Sequence, residues 1–183
     1  MKLIGLAGPK GSGKTTFASM MSTLYGWKGI SFAYPIKAML EAMGVPQEII
    51  RDPVRKEEVF PELGVSPRRL MQTLRTEWMR EIIDPDGWVR LAEARIRRCD
   101  RNVVVDDVRF ENECRMIKSL GGTLVRFDKS LYGVDSHKSE SGIPDEFVDV
   151  EIDGFRDSDP YTGVKNFMEN VYNGAVDHTE PTV

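Results

Sequence analysis

Cysteine is nearly missing from this chain: Cys99 and Cys114 are the only two in 183 residues. No disulfide framework is available to it, and their spacing suggests no metal site. Both thiols read as reduced, structural residues of a reducing compartment. Histidine is just as scarce, with two in the chain, so His137 has no nearby histidine with which to build a metal centre. No stretch approaches the roughly 20 apolar residues that cross a bilayer, and the N-terminus reads as a strand rather than a signal peptide. A basic excess is lacking too. The net charge is −4 and the pI is near 5.3, which argues against a surface that coats nucleic acid but not against a local basic pocket. Internal repeats are absent. A soluble, cytoplasmic protein is expected, with neither nucleic acid nor membrane as partner.

The apolar share of 40% and charged share of 30% are those of an ordinary globular domain, and the length suits one domain with small insertions. Residues 8–15 read Gly-Pro-Lys-Gly-Ser-Gly-Lys-Thr, directly after the apolar run Leu3-Ile4-Gly5-Leu6-Ala7. Glycines let such a loop curl around an anion with successive N–H groups turned inward. The helix that follows aims its positive end at the same point. Lys14 then reaches the β- and γ-phosphates of a nucleotide and the Thr15 hydroxyl ligates Mg²⁺. Gly8, Lys10, Gly11, Ser12, Gly13 and Thr16 complete the cradle. The chain is expected to bind a nucleoside triphosphate.

Short apolar runs alternate with helical patterns, the signature of a parallel sheet covered on both faces. Strands are predicted near Lys2–Ala7, Gly29–Phe32, Val103–Asp106, Thr123–Phe127 and Val148–Ile152. Helices are predicted near Thr15–Leu24, Pro35–Met43, Pro67–Ile83, Gly87–Arg98, Glu111–Leu120 and Pro160–Asn173. Ser66-Pro67 and Asp159-Pro160 each pair a cap with proline in the first turn, and Gly121-Gly122 ends a helix. About seventy residues separate the second and third strands, far more than a crossover needs. Their helical patterning marks an insertion. The segment from Asp128 to Glu146 has few apolar anchors and is expected to be mobile, and the polar tail after Asn173 to fray.

The third strand ends in Asp106-Asp107, and a carboxylate there holds Mg²⁺ beside the loop. Side chains alternate along a strand, so one of the two faces the site. Arg109, just past the strand, is suited to a transferring phosphoryl group, a surface ion pair being the alternative. At 100° per residue Leu70, Leu74, Trp78 and Ile82 make one stripe of the helix over 67–83, with Arg69, Thr73, Thr76 and Arg80 opposite and Gln72 at the edge. That polar face is either solvated or turned to an acceptor, whose phosphate the arginines would hold. Phe32 or Tyr34 packs in the core or against a ligand ring, and Lys37 meets a phosphate. Trp78 and Trp88 are core or base-stacking residues. His137 and Lys138 lie where closure would carry them over phosphates, or else in a solvated loop.

Taken together these stretches resemble the bacteriophage-type deoxynucleoside monophosphate kinase family. The matching stretches are the loop at 8–15, Ser-Phe-Ala-x-Pro-x-Lys at 31–37, Ser-Pro-Arg at 66–68, Gln72-Thr73-Leu74, and Thr76-Glu77-Trp78-x-Arg80. They continue through Asp86-x-Trp88-Val89-Arg90, Asp107-Val108-Arg109-Phe110-x-Asn112-Glu113, His137-x-Ser139-Glu140 and Asp153-Gly154. The resemblance implies an adenylate-kinase-like core, ATP and Mg²⁺ as cofactors, and a deoxynucleoside 5′-monophosphate as acceptor. It favours Asp107 over Asp106 as the functional acid, with Lys14 and Arg109 as the other catalytic groups and Thr15 as the second metal ligand. It adds Asp153 and Gly154 to the ATP side. On the acceptor side it points to Lys37, Arg68, Arg69, Gln72, Thr76, Glu77, Arg80, Trp88, Arg109 and His137. Two departures stand in that acceptor region: Tyr34 replaces a usual Asp, and Arg75 a usual Gly.

The expected architecture is α/β: a three-layer P-loop NTPase fold with a parallel five-stranded sheet, a helical acceptor-binding insertion and a short mobile lid. The core spans about 1–34 and 100–173, the insertion 35–99, the lid 128–146 and the tail 174–183. Monomer and homodimer both stay open, and a phage origin would place the protein in host cytoplasm. A small-molecule kinase of the same fold acting on dephospho-CoA- or phosphomevalonate-type acceptors, a nucleotide-dependent ATPase or switch, and a non-catalytic binding module are the competing readings. Lack of an Asn-Lys-x-Asp guanine-reading motif weakens the switch. The intact Lys14 and Thr15 weaken the non-catalytic one.

Overall fold

A computed structural model describes residues 1–127, 142–153, 155 and 159–172. His137, Gly154, positions 128–141 of the expected lid, and the tail lie outside the described residues. Five apolar runs form strands β1 (Leu3–Ala7), β2 (Lys28–Ile30), β3 (Val103–Val108), β4 (Thr123–Phe127) and β5 (Val150–Ile152). They make one sheet in the order β2-β3-β1-β4-β5, with every neighbouring pair parallel. The strand order explains the burial. β1 at the centre is buried along its whole length, whereas β2 at one edge buries only Ile30.

Successive side chains of a strand leave the sheet on opposite faces, so two cores form. On one face Leu3, Val103 and Val105 pack under α2 (Tyr34–Ala42), α5 (Gly87–Arg97) and α6 (Glu111–Ser119) through Ile36, Leu40, Ala92, Ile96 and Ile117. On the other, Ile4, Leu6, Val104 and Val125 meet α1 (Lys14–Tyr25) and α7 (Pro160–Asn166) through Phe17, Met21 and Val164. The expected three-layer fold is therefore present. Ser66 Oγ accepts from the Arg69 N–H to cap α4 (Pro67–Thr73). Asp159 does the same from Thr162 at the start of α7.

Between α2 and α4 the chain forms α3 (Gln47–Arg51) and a 3-10 turn at Arg55–Glu57. Neither was legible in the sequence, because one turn is too short to display a period. The larger difference lies in the helix predicted over 67–83. It is α-helical only to Thr73 and continues as a π-helix over Leu74–Ile83. A stripe drawn at the α-helical angle cannot hold through a wider turn. Trp78 and Ile82, expected in the core, are 37% and 74% exposed, while Arg75 and Thr76 are 6% and 3% exposed.

Phe17 is the pivot of the second core, with edge-on ring contacts to Phe127, Phe155 and Phe167 at 5.2–5.5 Å. Phe17→Ala is expected to cost about 3–5 kcal/mol in urea unfolding. A loss below about 1 kcal/mol would mean that these rings do not hold α1 to the sheet.

Candidate active site

The chain leaves β1 at Ala7 and turns at once through Gly8, whose φ is 130°. A Cβ there would stand 2.2 Å from the Phe127 carbonyl oxygen, so no side chain fits. Gly13, with φ 101°, ends the loop and starts α1. The loop is thus drawn tight over the sheet's carboxyl edge with a helix N-terminus behind it. Lys14 is folded back into the loop, not held out in solvent. Its Nζ donates to the carbonyls of Gly8 (2.7 Å) and Pro9 (2.6 Å) and to Ser12 Oγ (3.1 Å). Thr15 and Thr16 are exposed on the first turn of α1. Lys10 reaches away from the loop to the Glu57 carboxylate at 2.5 Å, tying the loop to the 3-10 turn.

β3 runs beside β1 and brings its two carboxylates to the same edge. Their environments differ sharply. Asp107 accepts from the N–H groups of Phe32 and Ala33 (both 2.9 Å) and from Ser31 Oγ (3.0 Å). Arg75 Nη2 donates to its carbonyl at 3.1 Å, and Arg75 Nη1 lies 3.5 Å from its carboxylate. Burial pushes the Asp107 carboxyl up, but Arg75 and the two N–H groups outweigh it and hold the carboxyl below its ordinary value. Asp106 faces the loop, where the Thr15 side chain hydrogen-bonds to it. Burial and the Asp107 charge push the Asp106 carboxyl up to about 6, with Lys37 opposing them. The choice of Asp107 as the acid beside the loop gives way here: Asp107 is spent on the turn before α2, and Asp106 meets Thr15.

The π-helix explains where the acceptor-side arginines go. Its hydrogen bonds span five residues, as from the Asp84 N–H to the Met79 carbonyl, and residues five apart share a face. Arg75 and Arg80 therefore point together at Glu113, which is fully buried, at 2.8 and 2.5 Å. The other Glu113 oxygen accepts from the N–H groups of Arg109 (2.7 Å) and Phe110 (3.2 Å), capping α6. Arg80 also donates to Asn112 Oδ1 and stacks 3.9 Å above the Phe110 ring centre. It is committed to structure, not held ready on an open polar face. Of the two readings of Trp88, the core one holds: it is 2% exposed, with Nε1 donating to the Arg75 carbonyl at 3.0 Å. Thr76 is buried beside them, its Oγ1 without a partner among the described residues.

A cationic group does gather over the loop. Lys37 of α2 is close enough to act on Asp106. Lys10, Lys37 and Arg68 all act on Lys56 in the 3-10 turn. Lys56 was not singled out in the sequence, where nothing about Arg55-Lys56-Glu57 differs from a solvated charge run. Gln72 and Glu77 are half-buried, as is Arg109 past the end of β3, while Arg69 and Asp153 are exposed. From Thr15 and Asp106 a cleft of about 280 Å³ opens past Ser31 to Tyr34 and Arg95. Arg95 stacks over the Tyr34 ring at 4.9 Å and donates to the Ser31 carbonyl at 3.1 Å.

A phosphate-binding loop after the central strand, with an acid from the neighbouring strand, defines a P-loop kinase fold. Solved structures agree on the fold. Shikimate kinase from Aquifex aeolicus superposes with a TM-score of 0.50 at 15% identity, covering 96% of this chain and 99% of that one. The shikimate kinase of Acinetobacter baumannii, solved with shikimate, gives 0.50 at 13% identity over 97% and 96%. A family model described as deoxynucleotide monophosphate kinase matches residues 44–154. A protein of Acanthamoeba polyphaga mimivirus provisionally named as such a kinase is 35% identical over 76% of this chain and 81% of its own length. The deoxynucleoside-5′-monophosphate kinase of Escherichia phage T5 is 29% identical over 86% of this chain, which spans 63% of the phage protein. The chain belongs to the deoxynucleotide monophosphate kinase family.

Two stability measurements check this geometry. Glu113→Gln leaves Arg75 and Arg80 without their shared anion and is expected to cost about 3–5 kcal/mol. A loss under about 1 kcal/mol in urea unfolding would remove Glu113 from the centre of the network. For Asp106 the folded-state value of about 6 lies above the ordinary 3.8. The folded state then holds the proton more tightly, so stability falls as pH rises through that window. Asp106→Asn should stabilise the ligand-free protein at pH 7 by up to about 3 kcal/mol, an advantage that vanishes below about pH 4. Destabilisation at pH 7 would contradict the desolvated carboxylate.

Proposed function

We propose that this protein transfers the γ-phosphoryl group of ATP to a deoxynucleoside 5′-monophosphate, giving the diphosphate. The observation that carries the reading is a convergence on one edge of the sheet. The Thr15 side chain hydrogen-bonds to Asp106 of β3, Lys37 of α2 acts on the same carboxylate, and Lys14 precedes Thr15 in the loop. The family's chemistry needs that meeting of donor phosphates, a cation site and an acceptor phosphate.

The acceptor oxygen is already anionic, so no strong general base is required and the work is alignment and charge neutralisation. Lys14 exchanges the carbonyls of Gly8 and Pro9 for phosphate oxygens, and the loop N–H groups surround the β-phosphate. Arg109, anchored by its own N–H on Glu113, extends its guanidinium toward the transferring group. Asp106 and the Thr15 hydroxyl would hold Mg²⁺, a hard cation that takes oxygen ligands. A desolvated carboxylate with a raised proton affinity fits a cation in that position. The ion held there would supply charge neutralisation for the phosphates.

On the acceptor side Lys37 and Arg68 hold the phosphate, with Arg69, Gln72, Thr76 and Glu77 toward the sugar and base. The unpartnered Thr76 Oγ1 supports a polar ligand in that direction. The family resemblance assigns Asp153 and Gly154 to ATP and His137 to the acceptor. Small nucleotides are the ligands, the host cytoplasm the setting if the protein is of phage origin.

Coupled ADP release with ATP–Mg²⁺ across the common deoxy- and ribonucleoside monophosphates tests the activity. Acceptor-independent hydrolysis would overturn it in favour of an ATPase. Lys14→Ala is expected to lower turnover by at least about 10²-fold, by analogy with removal of one electrostatic stabiliser. Near-normal turnover in a folded variant would sink its role. Asp106→Asn is expected to impair the Mg²⁺ dependence of turnover more than Asp107→Asn, whose main effect should be on stability. The reverse order would restore Asp107 as the metal-side acid.

A further inference from the structure

The 3-10 turn at Arg55–Glu57 is seated against the phosphate-binding loop by Glu57, whose carboxylate holds Lys10 at 2.5 Å. Asp52 builds the turn, accepting from the N–H groups of Val54 (2.8 Å) and Arg55 (2.9 Å). Lys56 is thereby carried into a half-buried position facing Lys10 of the loop, Lys37 of α2 and Arg68 of α4. Its ammonium makes no hydrogen bond or ion pair among the described residues. The carboxylate that acts on it most strongly is Glu57, which is already paired with Lys10.

Four cations come together from four segments in a chain of net charge −4. Lys56 has no ion pair among the described residues, and an anion set beside it would lower the repulsion it meets from its neighbours. We infer that Lys56 is a phosphate ligand of the acceptor, completing with Lys37 and Arg68 the site that receives the monophosphate. The inference rests on the acceptor reading above and adds a residue to it.

The electrostatics agree with that geometry. Burial, then the charges of Arg68 and Lys10, lower the Lys56 ammonium to about 8, with Glu57 opposing and Lys37 adding to the fall. At pH 8 about half of the ligand-free molecules therefore carry a neutral Lys56, and a phosphate dianion draws the proton back. Monophosphate binding should take up about half a proton at pH 8 and very little at pH 6.5, with affinity falling about tenfold between pH 7 and pH 9. Arginine at this position stays charged throughout.

Calorimetric titration of the full chain in buffers of different ionisation heat reads both affinity and protons. The four common deoxynucleoside monophosphates, inorganic phosphate and a non-hydrolysable ATP–Mg²⁺ analogue are titrated separately. Lys56→Met should lose at least about tenfold in monophosphate affinity at pH 7, leave the ATP analogue within about twofold, and abolish the proton uptake at pH 8. Lys56→Arg should retain the affinity, with no proton uptake and no loss from pH 7 to pH 9. Unchanged affinity in Lys56→Met, uptake persisting in either variant, or an equal loss for the ATP analogue would overturn the inference. If the wild type binds none of the four monophosphates, the acceptor reading itself fails. Inorganic phosphate then decides whether Lys56 serves an anion site of another kind.

Discussion

The arrangement of this protein depends on the buried carboxylate of Glu113. One oxygen takes Arg75 and Arg80 from the π-helix, and the other takes the backbone N–H groups of Arg109 and Phe110 at the start of α6. A charge in such a place is tolerated only when it is paired and fully hydrogen-bonded, and its partners are then held as firmly as it is. The consequence is a fixed connection between the π-helix and the segment leaving β3.

From that connection follows the division of labour between the two neighbouring aspartates. Arg75 is shared between Glu113 and Asp107, so Asp107 is drawn to the insertion side, where it also fastens the turn at Ser31–Ala33. Strand alternation then leaves Asp106 facing the loop and Thr15. The same turn starts α2 and sets the position of Lys37. Arg75, where the family pattern carries glycine, is thus a structural hub that aims residues it does not touch.

The charge distribution shows a second design. An acidic chain concentrates several cations where the loop, α2, α4 and the 3-10 turn converge, while Glu113 and Asp107 neutralise the arginines deeper in. Lys56, among the cations at the loop, has no ion pair among the described residues, whereas Arg75 and Arg80 share the Glu113 carboxylate.

The loop at 8–15, the parallel sheet, its strands and most helix boundaries were legible in the sequence alone, because glycine conformation, alternation and capping are local properties. Lys14 and Thr15 stood out for the same reason, since the loop motif fixes their positions at the start of α1. Three things needed the folded chain. The π-helix moved Arg80 from an expected polar face into the frame, because a repeat read at 100° per residue cannot reveal where hydrogen bonding widens. The choice between Asp106 and Asp107 turned on Arg75, thirty-two positions from Asp107 in the chain. Lys56 was invisible because its surroundings come from other segments, and only folding brings charges distant in sequence within electrostatic reach.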